Sequence, residues 1–310
     1  MEKRTTSTKK LLAGLMGIAA GASYGIGGAV SKIVGQGGYT VMHVVMAQFI
    51  CALLVLCVLT PFSKRPSFSK TSVVKLMVLG AVSTISSITY YMAIDLLSVG
   101  SAVALQFQYV WITVVFQAVA DRKVPSKIVI FAVVLVIFGT LFSSGLADEF
   151  LSGEFTADPL GIVYALICAL FYAIFIFFNG RIASDQPAVP RTLVMIIGGF
   201  IVTLFCGGDL FLNPHELVEL LPGGLALGLV MSVIPVLCIV GSSSALPGGI
   251  VAILTSTELP AAVLAGAIIF SETVTPLKAV GVVLILVSVI ITEGGDIIKP
   301  KSLEQPKHDT

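Results

Sequence analysis

Residues 11–34 read LLAGLMGIAAGASYGIGGAVSKIV, and residues 159–179 read PLGIVYALICALFYAIFIFFN. Each is apolar over about the 20 residues that a helix needs to cross the hydrocarbon core of a bilayer. The first carries Ala13, Gly17, Gly21 and Gly25 at steps of four; the second carries Gly161, Ala165, Ala169 and Ala173 at the same steps. The offset is 148 for every pair, and Tyr24 stands at that offset from Tyr172. A second match has an offset of 151: Asp121, Pro125 and Lys127 recur as Glu272, Pro276 and Lys278. Both read acid, three residues, proline, one residue, lysine. Two matches at nearly one offset indicate an internal repeat. Small residues every fourth position let helix backbones approach closely in lipid, where no hydrophobic drive holds helices together.

The composition agrees with a lipid solvent. Of 310 residues, 11% are charged, 56% are hydrophobic, and the mean hydropathy is +1.04. Soluble domains run near 25% charged. Too few polar groups are present to cover a soluble surface, which excludes a soluble enzyme, a nucleic-acid binder and a disordered chain. A net charge of +1 leaves no basic footprint for a polyanion. The five cysteines, Cys51, Cys57, Cys168, Cys206 and Cys238, lie in apolar runs without metal-ligand spacing and read as small packing residues. Neither a metal nor a cofactor is expected. Lys3, Arg4, Lys9 and Lys10 precede an apolar stretch too long for a signal peptide, so the segment reads as a retained span.

Charges and Pro/Gly clusters divide the chain into ten spans, at about 11–34, 41–62, 72–94, 98–119, 127–147, 159–179, 191–212, 220–243, 248–270 and 277–296. With both termini in the cytoplasm, 16 of the 18 basic residues fall on the inner side. Asp148, Glu149, Glu154, Asp158, Asp209, Glu216 and Glu219 fall on the outer side. Five is odd, so the second five-span unit is inverted relative to the first, a plan common among secondary transporters. This inversion also explains Lys278, the repeat partner of Lys127, on the outer side. The expected organisation is a repeat at 11–147, a second at 159–296, and cytoplasmic tails at 1–10 and 297–310.

With these features the chain resembles the drug/metabolite transporter (DMT) superfamily, in its bacterial EamA-type branch. The resemblance covers residues 11–296. It rests on the paired five-span plan, the acid-x-x-x-Pro ends at Asp121 and Glu272, and the stretch 254–264, LTSTELPAAVL. It implies an all-α membrane protein that moves small metabolites across the bacterial cytoplasmic membrane. Amino acids or related amines are the expected cargo, and export the expected direction. A multidrug or cationic-compound exporter and a lipid-linked-sugar flippase are variants of the same reading. At the offset of 151 the first repeat has Tyr109 where the second has Pro260, so a helix break at Pro260 is expected in the second repeat only.

Charge within a span is costly and points to function. Glu258 is the acid well inside one. It follows Thr255, Ser256 and Thr257 and precedes Pro260, which frees the carbonyl of Ser256. Hydroxyls can re-satisfy such groups, so 255–260 reads as a polar, partly irregular patch at membrane depth. Glu258 shares a helix face with Ala262, which directs it to the bundle interior. It could attract a substrate ammonium or carry a coupling proton; the alternative is a neutral acid bonded to a neighbouring helix. Gln106, Tyr109 and Trp111 form the first-repeat counterpart, with Gln106, Tyr109 and Thr113 on one face. Gln106 and Tyr109 read as cavity lining, Trp111 as lining or as a packing ring. Tyr24, Gln48, Tyr172 and Thr255 complete the candidates, with Tyr90, since only one of Tyr90 and Tyr91 is expected to face inward. His43 reads as interfacial, and Pro235 as a kink.

The competing class is an intramembrane enzyme, which needs a buried Ser–His or Asp–Asp pair. The histidines at 43, 215 and 308 supply none, so no catalytic residue is assigned. A channel lacks a filter sequence. The expected partners are a small-molecule substrate and the bilayer, with a coupling proton as a candidate, in a monomer or dimer.

Overall fold

A computed structural model describes residues 2–97, 99–153 and 158–298, with side chains described over 8–97, 101–153 and 158–292. Glu154, Lys299 and the tail beyond it lie outside the described residues. Every described element is helical. In the first repeat these are α1 (Glu2–Gly35), α2 (Val41–Leu59), α3 (Lys70–Ile94), α4 (Val99–Gln106), α5 (Tyr109–Asp121), α6 (Lys127–Ser143) and the short α7 (Leu146–Ser152). In the second they are α8 (Pro159–Asn179), α9 (Ala188–Gly207), α10 (Pro214–Leu227), α11 (Ile234–Ser243), α12 (Gly248–Thr255), α13 (Glu258–Phe270) and α14 (Pro276–Ile298). Among the described residues, eight segments are long and apolar enough to span a bilayer. A ninth is α6 with α7, bent by 54°, and the apolar part of α14 is shorter. Together they occupy the ten expected positions.

The inverted repeat is visible in the element ends, and it corrects the sequence offset. Gln106 and Thr255 end α4 and α12, Asp121 and Phe270 end α5 and α13, and both pairs stand 149 apart. The residues that follow, Arg122 and Ser271, are both left-handed. At this offset Tyr109 pairs with Glu258, and Trp111 with Pro260. The helix break is therefore present in both repeats, at 107–108 and 256–257, not in the second alone. Proline is one way to break a helix; the first repeat uses a side chain. The Gln108 amide donates to the Ala104 carbonyl at 3.0 Å, replacing a backbone donor. In the second repeat the hydroxyls of Thr255, Ser256 and Thr257 donate to the carbonyls of Val251, Ile253 and Leu254. Both devices meet the rule that backbone groups in lipid must be satisfied internally.

Glycine sets the closest helix crossings. A Cβ on Gly80 of α3 would stand 1.8 Å from the Met195 carbonyl, and one on Gly198 of α9 would stand 2.0 Å from the Met77 carbonyl. Each helix thus presents a glycine to the other's backbone. On α1, a Cβ on Gly21 would stand 2.4 Å from the Thr255 carbonyl oxygen, and one on Gly25 would stand 2.3 Å from that of Glu258. Pro235 acts as more than a kink. It offers no N–H to Met231, and the chain ahead widens into a π-helix over Gly228–Val233. Ser23 donates to the Val230 carbonyl there at 2.7 Å.

Polar contacts group the loops by face. On the face away from the start of α1, here the distal face, Lys32 pairs with Glu272 at 2.8 Å and Thr275 donates to Asp148 at 2.9 Å. On the proximal face Arg181 pairs with Asp121 at 3.0 Å, and the Ser67 amide donates to Gln186 at 2.7 Å. The same loops share a face in the count of basic residues.

Candidate functional site

The two broken spans meet at mid-depth, beside a cavity of about 70 Å³. Tyr24, Gln48, Tyr90, Gln106, Tyr172 and Glu258 all line it. They come from α1, α2, α3, α4, α8 and α13, four from the first repeat and two from the second. A second, smaller space of about 30 Å³ shares Tyr24, Gln48, Ser83, Ser87 and Met231 with the first and extends towards Phe175 and Met195.

The break in the ninth span is what presents Glu258. It becomes the first residue of α13, where the positive end of the helix dipole favours a carboxylate. The preceding hydroxyls are committed to backbone carbonyls and leave it alone. Among the described residues its carboxylate makes no hydrogen bond and no ion pair, although it sits in a low-dielectric interior. Such a group calls for a cation or a proton. Around it are the rings of Tyr24, Tyr90 and Tyr172, the last edge-on to Tyr24 with centroids 6.2 Å apart. The Tyr172 hydroxyl is buried without a partner in hydrogen-bond geometry. Gln48 donates to Ser232 at 2.8 Å, which ties α2 to the π-helix. None of the residues lining either space is Lys, Arg or His. The cavity offers a carboxylate and aromatic faces to a cation, and amides and hydroxyls to a polar remainder.

Three of the expected lining residues lie elsewhere. Tyr109 is fully buried under the cavity, its hydroxyl 3.1 Å from Thr255 Oγ1 and its ring edge-on to Tyr172 at 4.6 Å. Thr255 is fully buried with it. Trp111 is 40% exposed and turned outward, its Nε1 donating to Gln108 at 2.7 Å. The break at 107–108 separates Gln106 from the face of Tyr109 and Thr113, which one continuous helix would place together. A second correction concerns Tyr90 and Tyr91, which both line the cavity. Consecutive helical residues project about 100° apart, and the cavity lies across both directions.

Other lining residues were not singled out from sequence: Ser83, Ser86 and Ser87 on α3, Cys168 on α8, and Met231 in the π-helix. Three serines within five residues of an apolar span were a usable signal. His43 is not a lone interfacial ring, since its nitrogens lie 2.6 Å from Glu216 and 3.2 Å from Asp209. Arg191 is 1% exposed rather than a loop charge, and its guanidinium donates to the Asn179 carbonyl at the end of α8. A cation there is favoured by the negative end of the helix dipole. The contact accounts for this buried charge structurally.

Comparison with known proteins places the architecture. One solved crystal structure, named only as that of a protein, superposes with a TM-score of 0.72 at 14% identity, covering 90% of this chain and 95% of the other. That likeness bears on fold alone. No curated protein matches the chain. A family model described as the EamA-like transporter family matches twice, over residues 11–145 and 159–293. The paired match spans nearly all the described helices and both halves of the cavity, and the chain belongs to the EamA-like transporter family, a multi-pass membrane transporter of small molecules.

Proposed function

We propose that this transporter exports small amine-bearing metabolites, amino acids or related amines, across the bacterial cytoplasmic membrane by alternating access. The carrying observation is Glu258: a carboxylate without a partner, at the start of a half-helix, in a cavity shared by the two repeats. The substrate ammonium takes that carboxylate, and the tyrosine rings and the amides of Gln48 and Gln106 receive the remainder. When no substrate is bound, a proton neutralises Glu258, which makes it the coupling candidate. The distribution of basic residues supports a cytoplasmic N-terminus, and the cavity lies within one chain, so a monomer suffices.

A second reading, the export of organic cations without a carboxylate, is favoured by the lack of any basic residue among those lining the cavity. Counterflow in reconstituted vesicles separates the two. A panel of amino acids and the amines they give on decarboxylation is exchanged against labelled compound, with right-side-out and inside-out vesicles reporting direction. Glu258→Gln should abolish exchange of every amine in the panel. Wild-type exchange by a folded Glu258→Gln protein would overturn the assignment. Exchange of amines but not of amino acids would select the second reading.

A further inference from the structure

The two repeats are alike in plan but differ in how tightly they close on each face. On the proximal side α12 packs along α5 and α8. A Cβ on Gly248 would stand 3.3 Å from the Phe177 Cα, and one on Gly249 would stand 3.6 Å from the Val114 Cβ. The Tyr109 hydroxyl, 3.1 Å from Thr255 Oγ1 and 3.4 Å from the Ala252 carbonyl, joins the same halves. The repeat counterparts of α12, α5 and α8 are α4, α13 and α1. Among the described residues α4 makes no comparable packing with α13 or α1. The difference shows in the cavity wall: Ser87, on the distal half of α3, is exposed and lines both spaces.

We propose that this is the distal-open state, and that in the opposite state Glu258 closes the distal half by accepting a hydrogen bond from the Gln106 amide. The partners follow from the inverted repeat. At the observed offset of 149, Glu258 is the counterpart of Tyr109, and Gln106 the counterpart of Thr255. If the halves exchange conformations, the contact now made by Tyr109 and Thr255 on one side is made by Glu258 and Gln106 on the other. Both side chains already line the cavity, and the Glu258 carboxylate is free to accept. Gln106 is then a positioning residue. It takes the carboxylate once the substrate has left, so closure and an occupied carboxylate compete. This inference rests on the alternating-access reading above.

The test needs no substrate. Ser87→Cys, in a chain with the five native cysteines replaced by serine, is labelled in oriented vesicles by a membrane-impermeant methanethiosulfonate reagent from each face. The distal face should label faster. Adding Val114→Cys with Gly249→Cys, whose Cβ spacing suits a disulfide, should on oxidation abolish proximal labelling and raise distal labelling. Gln106→Leu and Gln106→Glu should each raise distal labelling roughly tenfold, as expected for losing a hydrogen bond to a charged group. The exchanged pair, Gln106→Glu with Glu258→Gln, restores an amide opposite a carboxylate and should return the parent rate, which also controls for folding. Proximal labelling of the oxidised protein would overturn the gate. Parent rates in both Gln106 variants, or no rescue by the exchanged pair, would overturn the Glu258–Gln106 contact. These rates are independent of transport, so their failure is distinct from a failure of the Glu258→Gln counterflow test.

Discussion

Gly80→Ala isolates what holds the cavity wall together. The added methyl would stand 1.8 Å from the Met195 carbonyl oxygen and 2.5 Å from its carbon. Ordinary carbon–oxygen contact is about 3.3 Å, so α3 and α9 would have to part by more than 1 Å. Met195 is backbone here, so no rotamer change relieves the clash. The reciprocal contact of Gly198 with Met77 would open as well. Overpacking of this kind costs about 1–3 kcal/mol. Alanine is the better helix former by about 1 kcal/mol, which offsets part of the loss. Gly28 is the matched control: it is exposed, and an added Cβ meets nothing within 4 Å. At roughly 2 °C per kcal/mol for a chain of this size, Gly80→Ala should melt several degrees below Gly28→Ala in the same detergent. Gly80 and Met195 both line the smaller space, so counterflow should fall in parallel. If Gly80→Ala melts with or above Gly28→Ala, backbone contact is not what fixes this crossing.

Other substitutions test single contacts. Tyr172→Phe removes a buried hydroxyl that has no partner in hydrogen-bond geometry; its melting temperature should not fall, while the ranking of amines in counterflow should change if that hydroxyl serves substrate. Gln48→Leu leaves Ser232 unpaired and unties α2 from the π-helix; a loss of about 1–3 kcal/mol, read by thermal unfolding, is expected. Lys32→Met breaks an ion pair between half-exposed side chains; it should cost under about 1 kcal/mol and leave exchange intact, whereas a large loss would mean the pair is shielded from solvent.

The number and order of the spans, the duplication and the loops that share a face could all be read from the chain. Each depends on a local requirement: about 20 apolar residues cross the bilayer whatever their neighbours are, and basic loops sort to one side. Glu258 was legible for the same reason, since a carboxylate in an apolar run is anomalous before any partner is known. Side-chain direction was not legible. Gln106 and Gln108 are alike in sequence, yet one lines the cavity and the other replaces a backbone donor in the break. The break itself turns Trp111 outward and puts Tyr109 under the floor, and a single period run through 106–113 could not show it. Arg191 counted equally well as a loop charge until the end of α8 was placed against it. Tertiary structure decided these points because each depends on which backbone a helix meets and at what angle. In lipid that is settled by glycine contacts and freed carbonyls between distant segments, which hydropathy does not record.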